Sequence, residues 1–176
     1  MKHLCKLLAA FLLLGSFPTW GQDISNKYPQ LIKRIKQINT SNYQKVVTLN
    51  NEEFMPEMAD GGGKLAGYYK NDQIEKITQE IVLSYGIETF DYYFTAGQLI
   101  FVYETLKRFP YDENLGKFDY TKTNINFVGR YYFTDNKLID SETTGHNRFE
   151  DDTIDIEMTL IKEVKDNLDQ LNRKKK

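Results

Sequence analysis

A threefold repeat in the centre of the chain constrains the fold more than any other feature of the sequence. Each copy begins with paired tyrosines, passes through a short turn of Asn, Asp or Gly residues, and restarts with apolar residues; the copies are residues 68–74, 92–100 and 131–139. Aromatic and β-branched runs on both sides of such turns are β-hairpin signals. The repeat therefore predicts three hairpins, or about six antiparallel strands.

Amphipathic helices are expected on both sides of the repeat. Residues 25–39 place four apolar side chains at helical spacing after Pro29, and residues 153–171 repeat apolar positions at three- and four-residue steps. A further strand is expected over residues 43–49. An antiparallel sheet with an N-terminal and a C-terminal helix is an α+β domain.

Strand alternation divides the aromatic residues of the repeat between two faces of the sheet. The predicted core face holds Phe90, Tyr92, Phe94, Phe101, Phe127, Tyr131 and Phe133. The other face holds Tyr93, Ile100, Arg130, Tyr132 and Ile139, and we group Tyr69 of the first copy with them. Because this second face is also aromatic, either the other helix covers it or it is an open recognition surface; cover is favoured, since large bare apolar patches are uncommon.

The repeat is interrupted by an insertion. Tyr68 and Tyr92 are 24 residues apart, whereas Tyr92 and Tyr131 are 39 apart. The difference is about the length of the polar stretch 108–122, which contains Pro110 and Gly116. Loops of this length in compact domains are often functional.

The first 21 residues have the pattern of a signal peptide. A basic start is followed by an apolar stretch over residues 7–14 that ends before Gly15 and Pro18, which is too short to span a bilayer. Small residues at Thr19 and Gly21 favour cleavage after Gly21. We expect one globular domain, residues 22–176, in the periplasm or secreted.

The expected mature chain excludes several kinds of chemistry. It retains no cysteine, which rules out a disulfide, and His146 is its one histidine, too few ligands for a zinc or copper site. Removal of Lys2 and Lys6 takes the net charge two units below the −2 of the full chain, which argues against nucleic acid as a partner. We predict no metal and no cofactor, and no transmembrane segment in the mature chain.

Short motifs that resemble ligand sites fail on inspection. Residues 61–64 read Gly-Gly-Gly-Lys, but Met58 and Leu65 occupy positions where a phosphate loop needs Gly and Ser or Thr. A calcium-like run begins at Asp112, yet Thr123 stands where the closing Glu is needed. No serine lies in a Gly-x-Ser-x-Gly turn.

Carboxylates on neighbouring predicted strands leave two interpretations open. Asp91, Glu104, Asp140 and Glu142 either converge in a cleft for acid–base work or face solvent beside Lys and Arg; the second is favoured. Arg130 either pairs with Asp91, which is favoured, or contacts an anionic ligand.

Residues 63–139 also carry a family resemblance. The runs Gly67-Tyr68-Tyr69, Tyr92-Tyr93-Phe94, residues 99–104 and Gly129–Phe133 resemble a group of exported proteins of Gram-negative bacteria, of Bacteroidota type, whose function is uncharacterised. The resemblance implies a fold of repeated Tyr-Tyr hairpins and an exported location. It implies no activity.

These observations favour a non-enzymatic binding or interaction module of the cell envelope, with a protein or envelope ligand as its partner. Tyrosine suits interface recognition, so the candidate binding residues are Tyr69, Tyr93, Tyr132 and Arg130. No catalytic residue is assigned. The alternative is a carboxylate-dependent hydrolase or lyase that acts on envelope polymers.

Overall fold

A large antiparallel sheet forms the centre of the computed structural model, which describes residues 20–146, 148–151 and 153–175. Residues 1–19, most of the predicted signal peptide, lie outside the described residues. The strands are β1 (Lys45–Asn50), β2 (Gly63–Lys70), β3 (Gln73–Leu83), β4 (Gly86–Thr95), β5 (Gln98–Arg108), β6 (Tyr111–Asp112), β7 (Lys117–Phe118), β8 (Asn124–Thr134) and β9 (Lys137–Thr144). Seven of them form one sheet in the order β1-β2-β3-β4-β5-β8-β9, and β6 pairs with β7 separately.

The helices are α1 (Trp20–Lys27), α2 (Pro29–Asn39) and α3 (Ile156–Lys175). The predicted α+β class is confirmed, with β1 as a seventh strand beside the three hairpins. The N-terminal helical region is two helices instead of one, because the chain breaks at Tyr28. Tyr28 precedes Pro29, and the proline ring disfavours helical geometry in the residue before it.

The three predicted hairpins are β2–β3, β4–β5 and β8–β9, and they share one turn geometry. Both central residues of each turn have positive φ, in Asn71-Asp72, Ala96-Gly97 and Asp135-Asn136. This is the type I′ turn, whose twist matches that of the flanking strands. All three turns lie at one end of the sheet, opposite the connections of residues 84–85 and 109–123.

Each hairpin also carries a β-bulge at the same distance beyond its turn. Glu75, Ile100 and Ile139 are extra residues without a partner on the facing strand, because the register shifts there. A bulge breaks the strict alternation of side chains. Phe101 consequently lies on the face opposite the one that alternation predicts, and that part of the assignment was wrong.

Helices cover both faces of the sheet. On the α3 face, Leu160, Val164 and Leu171 pack against the aromatic residues of β4 and β8, including Tyr92 and Tyr131. Burial of each of these aliphatic side chains stabilises the fold by about 1.5–3 kcal/mol. On the α2 face, the two N-terminal helices pack on a second aromatic cluster of Tyr93, Phe101 and Tyr132, contributing Ile24, Ile35 and Ile38. The expected cover of the second face is therefore observed.

Candidate functional site

Tyr93 and Tyr132 lie together in the core beneath α1 and α2. They are 4% and 3% exposed, and the ring of Phe101 lies between them at 5.4 and 5.1 Å from their centroids. The Tyr93 hydroxyl donates a 3.0 Å hydrogen bond to Oδ1 of Asn39, and burial raises the pKa of Tyr132 to about 12. The structure therefore brings these two predicted residues together, but as core side chains.

Tyr69 lies on the opposite face from those two tyrosines, so grouping it with them was wrong. Counted from the turn, Tyr68 is the equivalent of Tyr93, and Tyr69 is the equivalent of Phe94. Tyr69 is 4% exposed in the α3-face core, and its buried hydroxyl has no hydrogen-bond partner within the described residues. The pairing of tyrosines in the sequence concealed this offset of one residue.

Arg130 does not pair with Asp91, because β5 lies between their strands. Tyr103 is directly opposite both residues, one on each side. The guanidinium of Arg130 lies 5.4 Å from the ring centroid of Tyr103, while Asp91 accepts a 2.9 Å hydrogen bond from Lys76. Arg130 and Tyr132 share the wall of a cavity of about 570 Å³ between β9 and the N-terminal helices.

The four carboxylates considered for acid–base chemistry do not converge. Asp91 and Asp140 pair with Lys76 and Lys27, as the favoured interpretation expected. Glu142 lies near Tyr132. Of the four carboxylates, only Glu104 lies on the face of the sheet that α3 covers, and it is 2% exposed.

Glu104 belongs to a cluster around Arg148 that the sequence did not indicate. Nε of Arg148 lies 3.3 Å from Glu104, and its terminal nitrogens pair with Glu163 of α3. Tyr131 and Tyr92 donate hydrogen bonds to Glu104 and Glu163 at 3.3 and 3.2 Å. Burial raises the pKa of Glu104 to about 7. The guanidinium lies over the rings of Phe90 and Phe149, at 4.9 and 4.6 Å from their centroids.

A cavity of about 570 Å³ opens beside this cluster, between the sheet, α3 and the loop after β1. We call it the Arg148 cavity. Charged and amide side chains line it together with apolar ones; they are Phe54, Met55, Pro56, Glu57, Met58, Ala59, Gln79, Ile81, Glu88, Phe90, Arg148, Glu163, Asp166, Asn167 and Gln170. Cavities with a few polar groups among apolar ones are typical of ligand sites.

The insertion forms an exposed aromatic hairpin, residues 109–120. Tyr111 and Tyr120 are 56% and 63% exposed. Their rings pack against Phe118 at centroid distances of 5.2 and 6.4 Å, and Tyr120 also contacts the buried ring of Phe109 at 5.0 Å. The sequence marked this stretch as an insertion but did not show that its aromatic side chains cluster at the surface.

The chain matches no protein-family model, no curated protein and no solved structure. Within residues 20–146, 148–151 and 153–175, no helix combines the length and apolar character that crossing a membrane requires. Across the same ranges, the acidic, histidine and cysteine side chains form no group of three or more placed to hold a metal ion.

Proposed function

We propose that this protein is an exported, non-enzymatic binding module of the cell envelope, and that it holds a protein partner through the aromatic hairpin. The signal-peptide pattern of residues 1–21 supports export. The observation that most supports binding is the exposure of Tyr111 and Tyr120 within a packed aromatic cluster. The tyrosines of the α2 face are buried and are not available to a partner. We therefore assign partner binding to the hairpin instead of to that face.

The composition of the hairpin suits a protein interface. Aromatic residues and arginine are enriched at interface centres, and tyrosine combines a large apolar ring with a polar tip. The hairpin adds exposed Leu115, and the nearby Tyr85 is 41% exposed with Arg108 stacked on its ring. All of these side chains belong to connections at the end of the sheet opposite the type I′ turns, except that of Arg108, the last residue of β5.

The hairpin is also ordered before any partner arrives. β6 and β7 pair through Tyr111–Phe118 and Asp112–Lys117, and Asp112 accepts hydrogen bonds from the backbone of Asn114 and Leu115. Ordering a recognition segment in advance lowers the entropy cost of association. The large sheet gains no strand from it, since β6 and β7 form their own ladder.

Site-specific photo-crosslinking in the native envelope tests this proposal. A crosslinking amino acid at position 120 is expected to capture one defined protein, whereas the same residue at exposed position 72, in the turn at the other end of the sheet, is not. The captured protein, once purified, should bind the wild type and lose affinity at least about tenfold for the Tyr111→Ser/Tyr120→Ser variant, as expected for central aromatic anchors. Equal capture at both positions, or unchanged affinity of the folded variant, would contradict the proposal.

The hydrolase or lyase alternative draws its support from Glu104 and Glu88, whose pKa values are raised by burial. Raised carboxyl pKa values occur in general acids. Glu104, however, is 2% exposed and is held by Arg148 and Tyr131, which keeps it from contact with a polymer chain. The binding function therefore has the stronger structural support.

A further inference from the structure

Arg130 and Glu142 carry opposite charges and are directly opposite each other on β8 and β9. Within the described residues they nevertheless form no ion pair, either with each other or with a third side chain. The guanidinium of Arg130 lies instead over the ring of Tyr103, its neighbour on β5, at 5.4 Å from the centroid. Glu142 accepts a long hydrogen bond, of 3.5 Å, from the hydroxyl of Tyr132. Both charged groups therefore keep hydrogen-bonding capacity for a ligand.

Both side chains line the cavity of about 570 Å³ between β9 and the N-terminal helices, which we call the Arg130 cavity. Among the described residues, they are the two charged members of its lining, and the others are apolar or carry hydroxyl groups. Lys27 and Asp140 are close by in the fold, but they pair with each other at 2.7 Å and are not part of the lining. Sites for small molecules have volumes of about 300–1,000 Å³. The cavity thus offers a small ligand one positive and one negative group.

The guanidinium of Arg130 is suited to a carboxylate. Its planar fork of N–H donors matches the two oxygens of a carboxylate, and a guanidinium whose face lies on an aromatic ring keeps its N–H edge free. The negative charge of Glu142 would repel a simple anion at this position, because like charges close together disfavour each other. A ligand that also carries a positive group pairs with Glu142 instead. The wall therefore favours a ligand with both charges over a simple anion.

The short distance between the two charged residues favours an α-amino acid. Residues directly opposite each other on antiparallel strands have Cα atoms about 4.5–5.5 Å apart, so Arg130 and Glu142 occupy adjacent places on the wall. A carboxylate and an ammonium on one carbon atom can contact both side chains at once, whereas the two ends of a peptide are separated by at least one further residue. Ile24 and Ile32 line the helix side of the cavity and offer apolar surface to an aliphatic side chain.

We propose that the Arg130 cavity binds a free α-amino acid with an aliphatic side chain, with the carboxylate on Arg130 and the ammonium on Glu142. An ammonium group has three N–H donors and a carboxylate has only acceptors, so the ligand uses the free donors of Arg130 and the free acceptors of Glu142. This cavity shares no residue with the aromatic hairpin, and the proposal does not depend on partner binding there.

Titration of the purified protein with three probes of one carbon skeleton, followed by two-dimensional amide NMR, tests the two charges separately. Leucine carries both charged groups, 4-methylpentanoate lacks the ammonium, and 3-methylbutylamine lacks the carboxylate. Leucine should shift the amide signals of Arg130 and Glu142 with a Kd of about 1 mM or below. The other two probes should bind at least about tenfold more weakly, because each loses one charge-assisted pair. Absence of leucine binding, or equal binding of all three probes, would overturn the proposal.

Two variants assign the charges to their residues. Glu142→Gln should weaken leucine binding at least about fivefold but keep or improve 4-methylpentanoate binding, because it removes both the partner of the ammonium and the repulsion of the carboxylate. Retained binding of 4-methylpentanoate also shows that this variant is folded. Arg130→Gln should weaken both carboxylate probes.

Arg108→Gln is the matched control for Arg130→Gln. Arg108 also lies over a tyrosine ring, that of Tyr85 at 5.5 Å from its centroid, but it is not part of the cavity wall. This control should bind leucine like the wild type. An unchanged preference for leucine over 4-methylpentanoate in Glu142→Gln, or equal leucine affinity in Arg130→Gln and Arg108→Gln, would contradict the assignment of the site.

Discussion

Nη2 of Arg34 donates a 2.8 Å hydrogen bond to Oε1 of Glu75, the extra residue of the first β-bulge. The other two hairpins have Ile100 and Ile139 at the same position. Glu75 is 9% exposed, and its second carboxylate oxygen is buried without a partner in the described residues. The first hairpin therefore holds a partly buried ion pair where its two counterparts hold an apolar side chain.

We expect the Arg34–Glu75 pair to be replaceable by apolar residues but costly to break. Arg34→Leu alone should lower the free energy of unfolding by about 2 kcal/mol, since it leaves Glu75 charged and unpaired. Arg34→Leu/Glu75→Ile should recover stability to within about 1 kcal/mol of the wild type, because it reproduces the apolar bulge of the other hairpins. Urea denaturation of the two single variants and the double variant measures the coupling. Additive effects of the two substitutions would show that the pair is not coupled.

Buried and exposed tyrosines should differ sharply in their contribution to stability. Tyr132→Ala empties a position in the α2-face core that is 3% exposed, and we expect a loss of about 3–4 kcal/mol. Tyr111→Ser in the aromatic hairpin should change the free energy of unfolding by no more than about 0.5 kcal/mol. Thermal and urea unfolding of the two variants provide the comparison. A large loss from Tyr111→Ser would mean that the hairpin supports the fold instead of a partner.

A substitution in the second hairpin turn should raise the stability of the protein. Ala96 has a φ of +50°, a left-handed conformation that costs an alanine about 1 kcal/mol. Ala96→Asn creates Asn-Gly, the preferred type I′ pair, and should stabilise the protein by about 0.5–1 kcal/mol. The reverse change in the third turn, Asp135→Ala at φ +51°, should destabilise by a similar amount. Unfolding midpoints check both variants; if Ala96→Asn lowers the midpoint, the turn is not type I′ in solution.

The raised pKa of Glu104 predicts a pH dependence of stability. Burial raises this pKa to about 7 from the ordinary glutamate value of 4.5, so the folded state binds the proton more tightly than the unfolded state. Its contribution to stability is present below about pH 4.5 and is lost as the pH rises through 7, a change of about 3 kcal/mol. Glu104→Gln should remove this loss. The free energy of unfolding of the variant minus that of the wild type should therefore rise between about pH 4.5 and 7.

Other titratable groups lie near Glu104, so its effect has to be measured as the difference in stability between Glu104→Gln and the wild type. Arg148, Glu88, Glu163 and Tyr131 surround it, and the raised pKa of Glu88 adds a loss of the same sign to both proteins. Urea unfolding at half-unit steps from pH 4 to 8 gives the difference curve. A flat difference would show that Glu104 titrates at an ordinary pKa in the folded protein.

Local signals in the sequence were sufficient for the hairpins but not for the faces of their strands. The dipeptides Asn71-Asp72 and Asp135-Asn136 predict turns because few other residues accept positive φ. The bulge at Ile100 has no such signal, since any apolar residue fits there, and it reversed the face of Phe101. Periodicity alone cannot detect one extra residue.

The candidate sites were less predictable for a different reason. The Arg148 cluster joins β4, β5, β8, α3 and the turn after β9, so no spacing along the chain brings its members near one another. Arg148 itself appears in the sequence as one more polar residue before the last helix. The aromatic hairpin was visible as an insertion because it lengthened one interval of the repeat. The spacing along the chain did not show, in contrast, that its tyrosines cluster at the surface.

The separate ladder of β6 and β7 has a consequence for how the protein can change over time. β5 and β8 pair with each other from Arg108 and Asn124 inward, and neither needs residues 110–122 to complete its hydrogen bonds. Mutations in this stretch are thus expected to have little effect on whether the protein folds. Its length and composition can change, or another loop can take its place, while the three hairpins stay as they are.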